Sequence, residues 1–390
     1  MATKHKVRLA LLNGMSTVEV VATFDVIQED KMMHSEPDRQ SLAWAHGVVS
    51  VEALGGMIGP TAFVLPDGRA VSPFHIAPWF AETPVPGLPA ILQRLRGEWP
   101  CVPFGADAPR RLPPAWRATA QSATVQSFAG AGVPHGHASN VEWHFAPQGL
   151  RDIALICDYP EDHPIKSLHR TVRPDPAAPA LDLSLTVTAR RPCRLPLGLH
   201  PTFRLPANGC AQLIAPDFRQ GRVFPTAVEP SSLLLPDALF QSLDAVPTLT
   251  GQPLSLSHLP LATMNEELVQ LCGVTGDFVL RYPDEGFQLR LSWNTSHFPS
   301  VLLWVSNRGR TAAPWNSRHL ALGVEPVCSA FDLGPAISNA DNPISRDGTA
   351  TTMVLTPDRD FTTAYRIAVE PLEQANGASP RLATASGSAA

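Results

Sequence analysis

The density of backbone breaks limits what this chain can fold into: of its 390 residues, 40 are proline and 26 glycine. Proline removes a donor and blocks helix interiors, so breaks this frequent favour many short strands joined by turns over long helices. The pattern between the breaks agrees. Residues 182–189 set Leu183, Leu185 and Val187 against polar neighbours, and residues 287–293 do the same with Phe287, Leu289, Leu291 and Trp293. A period of two marks a half-buried strand. Residues 50–54 and 57–65 flank Gly55–Gly56, which reads as a hairpin turn, and Asp67–Gly68 leads into a further strand over 69–76. Only short helices are predicted, over 89–96 and, with a weaker pattern, over 264–270. The expected class is all-β, built on large antiparallel sheets.

Composition narrows the function classes. Hydrophobic residues make up 44% of the chain and charged residues 17%, enough for a large core under a sparsely charged surface. The net charge of -5 and the lack of a basic stripe argue against a nucleic-acid partner. Six scattered cysteines form no C-x-x-C pair, which suits buried reduced thiols better than a zinc or disulfide framework. The apolar run at 9–12 is too short for a signal sequence, and no run approaches the ~20 apolar residues of a membrane span. A cytoplasmic protein without a membrane partner, monomeric or homodimeric, is expected. One domain is read over 36–370. Residues 1–35 are an N-terminal segment to which the sequence assigns no role, an edge hairpin and a swapped arm both being open, and residues 371–390 are read as a flexible tail.

The most informative feature is a pair of echoing pentapeptides, Leu197-Gly198-Leu199-His200-Pro201 and Leu322-Gly323-Val324-Glu325-Pro326. A residue before proline is pushed towards extended backbone, which predicts a strand end at His200 and at Glu325. Alternation places Leu197 and Leu199 on one face and Gly198 and His200 on the other, with Gly323 and Glu325 likewise opposite Leu322 and Val324. Glycine two residues before each ionisable group clears space, as a strand does where a ligand approaches. The pattern alone leaves open whether the pair is structural or catalytic. If catalytic, the polar atoms of His200 and Glu325 should stand roughly 5–9 Å apart on one cleft.

A third segment, Pro134-His135-Gly136-His137, follows a strand-like stretch at 123–128 in a loop loosened by Gly130, Gly132 and Gly136. With His144 it offers three histidines. No acidic or cysteine cluster completes a ligand set, so no metal is expected.

These residues carry a family resemblance. His135–Trp143 is similar to the HGFAR-x-x-x-W motif of aldose 1-epimerase-like proteins of the galactose mutarotase-like superfamily, in particular the hexose-6-phosphate mutarotase-like branch. Leu197–Phe203 resembles the family's H-P-[YT]-F strand end, and Leu322–Asp332 its V-E-P strand. The resemblance covers about residues 36–370 and implies a β-supersandwich with a sugar cleft on the face of a large sheet. It implies Glu325 as catalytic base, His200 as catalytic acid and His135 as the histidine polarising the ring oxygen. Phe104, in a Pro-Phe-Gly stretch, Trp304, His137 and Arg318 are expected near the sugar. Mutarotation needs a base at the anomeric hydroxyl and an acid at the ring oxygen, and no cofactor. That fits a sequence without a dinucleotide fingerprint or phosphate loop.

Two departures bear on the substrate. The family's Phe after His-Gly is His137 here, and its Arg is Ser139. Guanidinium pairs well with phosphate, so its loss favours a free aldose over a sugar phosphate, and Ser139→Arg is expected to shift the preference back. Arg69, Arg94, Arg96 or Arg318 would have to substitute in a phosphate site. The competing readings are a non-catalytic sugar-binding protein and a glycosidase, the latter weakened by the lack of a second carboxylate in a comparable context.

Overall fold

Strands form where period-two alternation is strongest. In the computed structural model the strands Ala180–Ala189 and Phe287–Trp293 alternate buried and half-buried positions inside a nine-stranded antiparallel sheet. One face of that sheet packs on the core and the other meets water. A second sheet of eight strands has Asn265–Cys272, Ser300–Asn307 and Leu320–Cys328 near its centre, each buried at every position. Both its faces are covered. Leu199, Val269, Leu303, Leu322 and Val324 join Leu183, Leu185, Leu289 and Leu291 in the core between the sheets. On the far face, Trp99, Phe104, Leu268, Leu302, Trp304 and Val327 pack with Trp79, Trp116 and Phe331 from loops. The fold is the all-β sandwich expected from the sequence.

The structure describes residues 38–108, 111–118, 132–147, 149 and 151–372, with the backbone of the strands Lys4–Asn13, Ser16–Asp25 and Met32–Glu36. Lys4–Asn13 and Ser16–Asp25 pair with each other as a two-stranded sheet, while Met32–Glu36 is the first strand of a five-stranded sheet. The strand-like stretch at 123–128 and the tail beyond 372 lie outside the described residues. The glycine hairpin forms as read: Gly47–Glu52 pairs antiparallel with Ile58–Val64, and Gly55 and Gly56 take φ of 66° and 58° between them.

Three local readings are corrected. Residues 264–270 are not helical but belong to the strand Asn265–Cys272. Helix propensities differ by only a few tenths of a kcal/mol per residue, whereas burying Leu268, Val269 and Leu271 in a central strand contributes about 1.5–3 kcal/mol each. Of 69–76 only Ala70–Val71 is a strand, because Pro73 cannot donate to a ladder and the chain then makes isolated bridges, Phe74 with Phe203 and Ile76 with Arg96. The helix over 89–96 shortens to Ala90–Gln93.

Candidate active site

Register across the eight-stranded sheet assembles the site. Leu197–Leu199 and Thr202–Arg204 both pair with Leu320–Cys328 in one continuous register, with Gly198 opposite Val327 and Thr202 opposite Gly323. Carried across the break at His200–Pro201, that register sets His200 opposite Glu325. On the other side Leu199 lies opposite Pro100, and the His200 N–H donates to the Trp99 carbonyl at 2.9 Å. Leu302 pairs with Glu325. Trp99, His200, Glu325 and Leu302 therefore form one cross-strand row. Opposed side chains share a face, and all four line a cleft of about 600 Å³.

Glu325 lies inside its strand, not at an end as proline suggested. The Val324 N–H donates to the Pro201 carbonyl at 2.9 Å, and beyond Pro326 the pairing resumes with Val327 opposite Gly198 and Cys328 opposite Leu197. The strand therefore continues through Pro326 to Cys328. The two glycines do clear space, but protein groups fill it. A Cβ at Gly198 would fall 2.4 Å from the Phe104 ring, and one at Gly323 would fall 2.4 Å from Glu325 Oε1.

His200 Nε2 lies 3.4 Å from Glu325 Oε1, with both side chains almost fully buried. This is closer than the 5–9 Å expected. The anomeric hydroxyl and the ring oxygen of an aldose share one carbon, so groups lying side by side reach both. Thr202 Oγ1 is 3.3 Å from His200 Nδ1. The Trp99 ring stacks on the imidazole at 4.1 Å and 17°, and His135 meets it edge-on at 4.8 Å. Burial, reinforced by Asp332, holds Glu325 well above the ordinary carboxylate range. Burial, reinforced by His135, holds His200 well below the usual imidazole range. Both directions favour one arrangement of the pair, with the proton on the carboxyl and the imidazole neutral.

The other expected residues separate into two groups. His135 and Trp304 line the cleft with the pair. His135 has φ 57° and its N–H donates to the Gly105 carbonyl at 3.0 Å, which fixes the loop above His200. Phe104 is fully buried behind the cleft, edge-on to His135 at 5.2 Å. His137 turns away, with Nε2 3.2 Å from the Asp158 carbonyl oxygen and its ring against Tyr159. One intervening residue in a tight turn sends the two histidines in different directions. Arg318 is outside the cleft, donating to both carboxylate oxygens of Glu82 at 2.5 and 2.7 Å. Ser139 is completely buried, donates to the His135 carbonyl at 2.8 Å and does not line the cleft. Arg69, Arg94 and Arg96 are bound to Asp67, the Phe80 carbonyl and Glu52 respectively, also outside the lining.

The sequence reading missed Trp99, Glu266, Arg310 and Asp332. Trp304 Nε1 donates to Glu266 Oε1 at 2.7 Å, and Ser306 Oγ to Glu266 Oε2 at 3.1 Å. Arg310 lines the cleft with its guanidinium over Trp304 and Trp315, its Nε 3.2 Å from Glu266 and 3.4 Å from Glu229. No local signal marks Glu266 or Arg310, whose partners come from distant strands. Trp99 did carry one. Gly97-Glu98-Trp99-Pro100 repeats the Gly-x-x-Pro frame of the two histidine and glutamate segments on the third adjacent strand.

Among the described residues no group of three or more His, Cys, Asp or Glu side chains is arranged to hold a metal. No helix among them is long and apolar enough to cross a membrane. No protein-family model matches the sequence, and no curated protein sequence matches it. Solved structures do match the fold. A galactose mutarotase-like protein from Clostridium acetobutylicum is 11% identical, with 89% of this chain and 100% of that chain covered at a TM-score of 0.58. The GalM/aldose epimerase homologue from C. elegans is 11% identical over 85% and 98% of the two chains, at 0.57. A galactose mutarotase-like protein from Lactobacillus casei is 14% identical over 87% and 100%, at 0.54. The chain has the galactose mutarotase-like fold.

Proposed function

We propose that the protein is an aldose 1-epimerase acting through Glu325 and His200. The observation that carries this reading is the 3.4 Å contact between a buried carboxyl and a buried imidazole on the floor of a cleft. The pair holds one proton between its members. Moving it from Glu325 to His200 Nε2 produces a carboxylate base and an imidazolium acid side by side. Glu325 then takes the proton from O1 of the sugar, C1–O1 becomes a carbonyl as the C1–O5 bond breaks, and His200 protonates O5. Rotation about C1–C2 and the reverse transfers close the ring with the other anomeric configuration. Paired transfer of this kind contributes roughly 10²–10⁴-fold per group. His135, edge-on to His200, orients the ring oxygen, and Trp304 offers an aromatic wall to the sugar.

The substrate is a free aldose. Arg310, one of two arginines lining the cleft, already faces two carboxylates, Glu229 and Glu266. A phosphate dianion would have to compete with both. Arg111 also lines the cleft. Polarimetry on freshly dissolved aldoses and aldose 6-phosphates tests the reading. Accelerated mutarotation of free aldoses supports it, and acceleration of the phosphates alone would reassign the substrate.

A further inference from the structure

Trp99 is not accounted for by acid–base chemistry. It nonetheless occupies the third Gly-x-x-Pro frame, just ahead of the strand Pro100–Cys101 that pairs beside His200, and it lines the same cleft. Cross-strand register fixes its relation to the imidazole: the His200 N–H donates to the Trp99 carbonyl, and the two rings stack at 4.1 Å with an interplanar angle of 17°. Trp99 has no exposed surface, so its ring is held in place by the packing around it. His200 is thus enclosed between an indole face on one strand and a carboxylate on the next.

We infer that Trp99 is a positioning residue whose π-face sustains the imidazolium form of His200, which makes a buried histidine usable as the ring-oxygen acid. The inference rests on the acid–base reading of the His200–Glu325 pair. A cation over an aromatic face is stabilised by the ring quadrupole, and tryptophan provides the strongest such face. The need for it follows from the groups around His200. His135 approaches at 4.8 Å and opposes a positive charge. Arg310 lines the same cleft and has the same sign. Glu325, with Asp332 beyond it, favours the charge. Cys101 is a buried thiol whose ionisation is pushed well up, and Glu98 is turned to the opposite face, bound to Arg170 and Tyr365. Burial itself works against the charge. The stacked indole is the neutral contact that offsets this without occupying the proton-transfer edge of the ring.

The test uses Trp99→Phe, which keeps a π-face, and Trp99→Leu and Trp99→Met, which do not. The histidine resonance that disappears in His200→Asn is followed through pH in the sugar-free protein, and the acid limb of kcat/KM, where the neutral imidazole takes up its proton, is measured in parallel. Trp99→Leu or Trp99→Met should move both to lower pH by about half to one unit, and Trp99→Phe should restore most of the shift. In the unsubstituted protein, the tryptophan emission absent from Trp99→Phe should titrate together with the His200 resonance, because imidazolium quenches a stacked indole. An unmoved His200 titration in the aliphatic variants, an equal shift in Trp99→Phe, or emission that ignores the His200 titration would overturn the inference. The resonance is read without substrate, so a protein that turns over no aldose still tests the stacking. Normal turnover with an unmoved titration refutes the stacking alone.

Discussion

Gly323→Ala is the sharpest perturbation of the pair, because it touches neither titratable group chemically. The added methyl would lie 2.4 Å from Glu325 Oε1, and 3.1 Å from Trp304 Cβ on the other side. Carbon and oxygen in ordinary contact stand about 3.3–3.6 Å apart, so the carboxylate must retreat by about 1 Å. It cannot stay in place by pushing the methyl aside, because Trp304 is itself buried and hydrogen-bonded to Glu266. A 1 Å displacement of a reacting group costs about 10²-fold in rate, so kcat/KM for a free hexose should fall by about that factor. The substitution sits on extended backbone inside a strand, so the fold should survive. Polarimetric rates with thermal unfolding as the control provide the assay. A folded Gly323→Ala variant within about threefold of the parent rate would show that the carboxylate position seen here is not the catalytic one.

Further outcomes follow from the same geometry. Glu325→Gln should reduce mutarotation about 10²–10⁴-fold with little change in sugar affinity, as measured by rate and by equilibrium binding. The same variant should change the pH dependence of stability. Glu325 titrates in the folded protein above its unfolded value, so the stability it contributes is complete below the unfolded pKa and is lost as pH rises through the folded one. The Tm of Glu325→Gln should therefore gain on that of the parent towards alkaline pH, and a constant difference would contradict the assignment. Arg170→Met should destabilise by about 3–5 kcal/mol in denaturant titration, since it strands the fully buried Glu98 carboxyl held by Arg170 and Tyr365. Ser139→Arg should lower stability without raising activity on a 6-phosphate, because Ser139 is fully buried against Pro100 and His135 and lies outside the cleft lining.

Much of the fold was legible in the chain because alternation and turn chemistry are local. The strand Phe287–Trp293 and the Gly55–Gly56 hairpin follow from neighbouring residues alone. The strand Asn265–Cys272 was not legible: its two-sided burial erases the period-two signal, and its glutamates resemble a helix surface until Trp304, Ser306 and Asn265 appear as their partners. At the site, the Gly-x-x-Pro echo marked His200 and Glu325 because backbone restriction travels with proline. Arg318 and His137 misled because a motif position does not state where a side chain points once Glu82 or the Asp158 carbonyl competes for it. The separation of the pair was misjudged for a different reason. It depends on strand register, which no single segment carries.

The central claim is that Glu325 and His200 together open and close an aldose ring. NMR saturation transfer between the α and β anomeric protons of a free hexose measures that exchange directly at equilibrium. The account predicts strong transfer with the parent protein and near-background transfer with folded His200→Asn and Glu325→Gln variants. Background exchange with the parent across a panel of free aldoses, or full exchange in either variant, would contradict it.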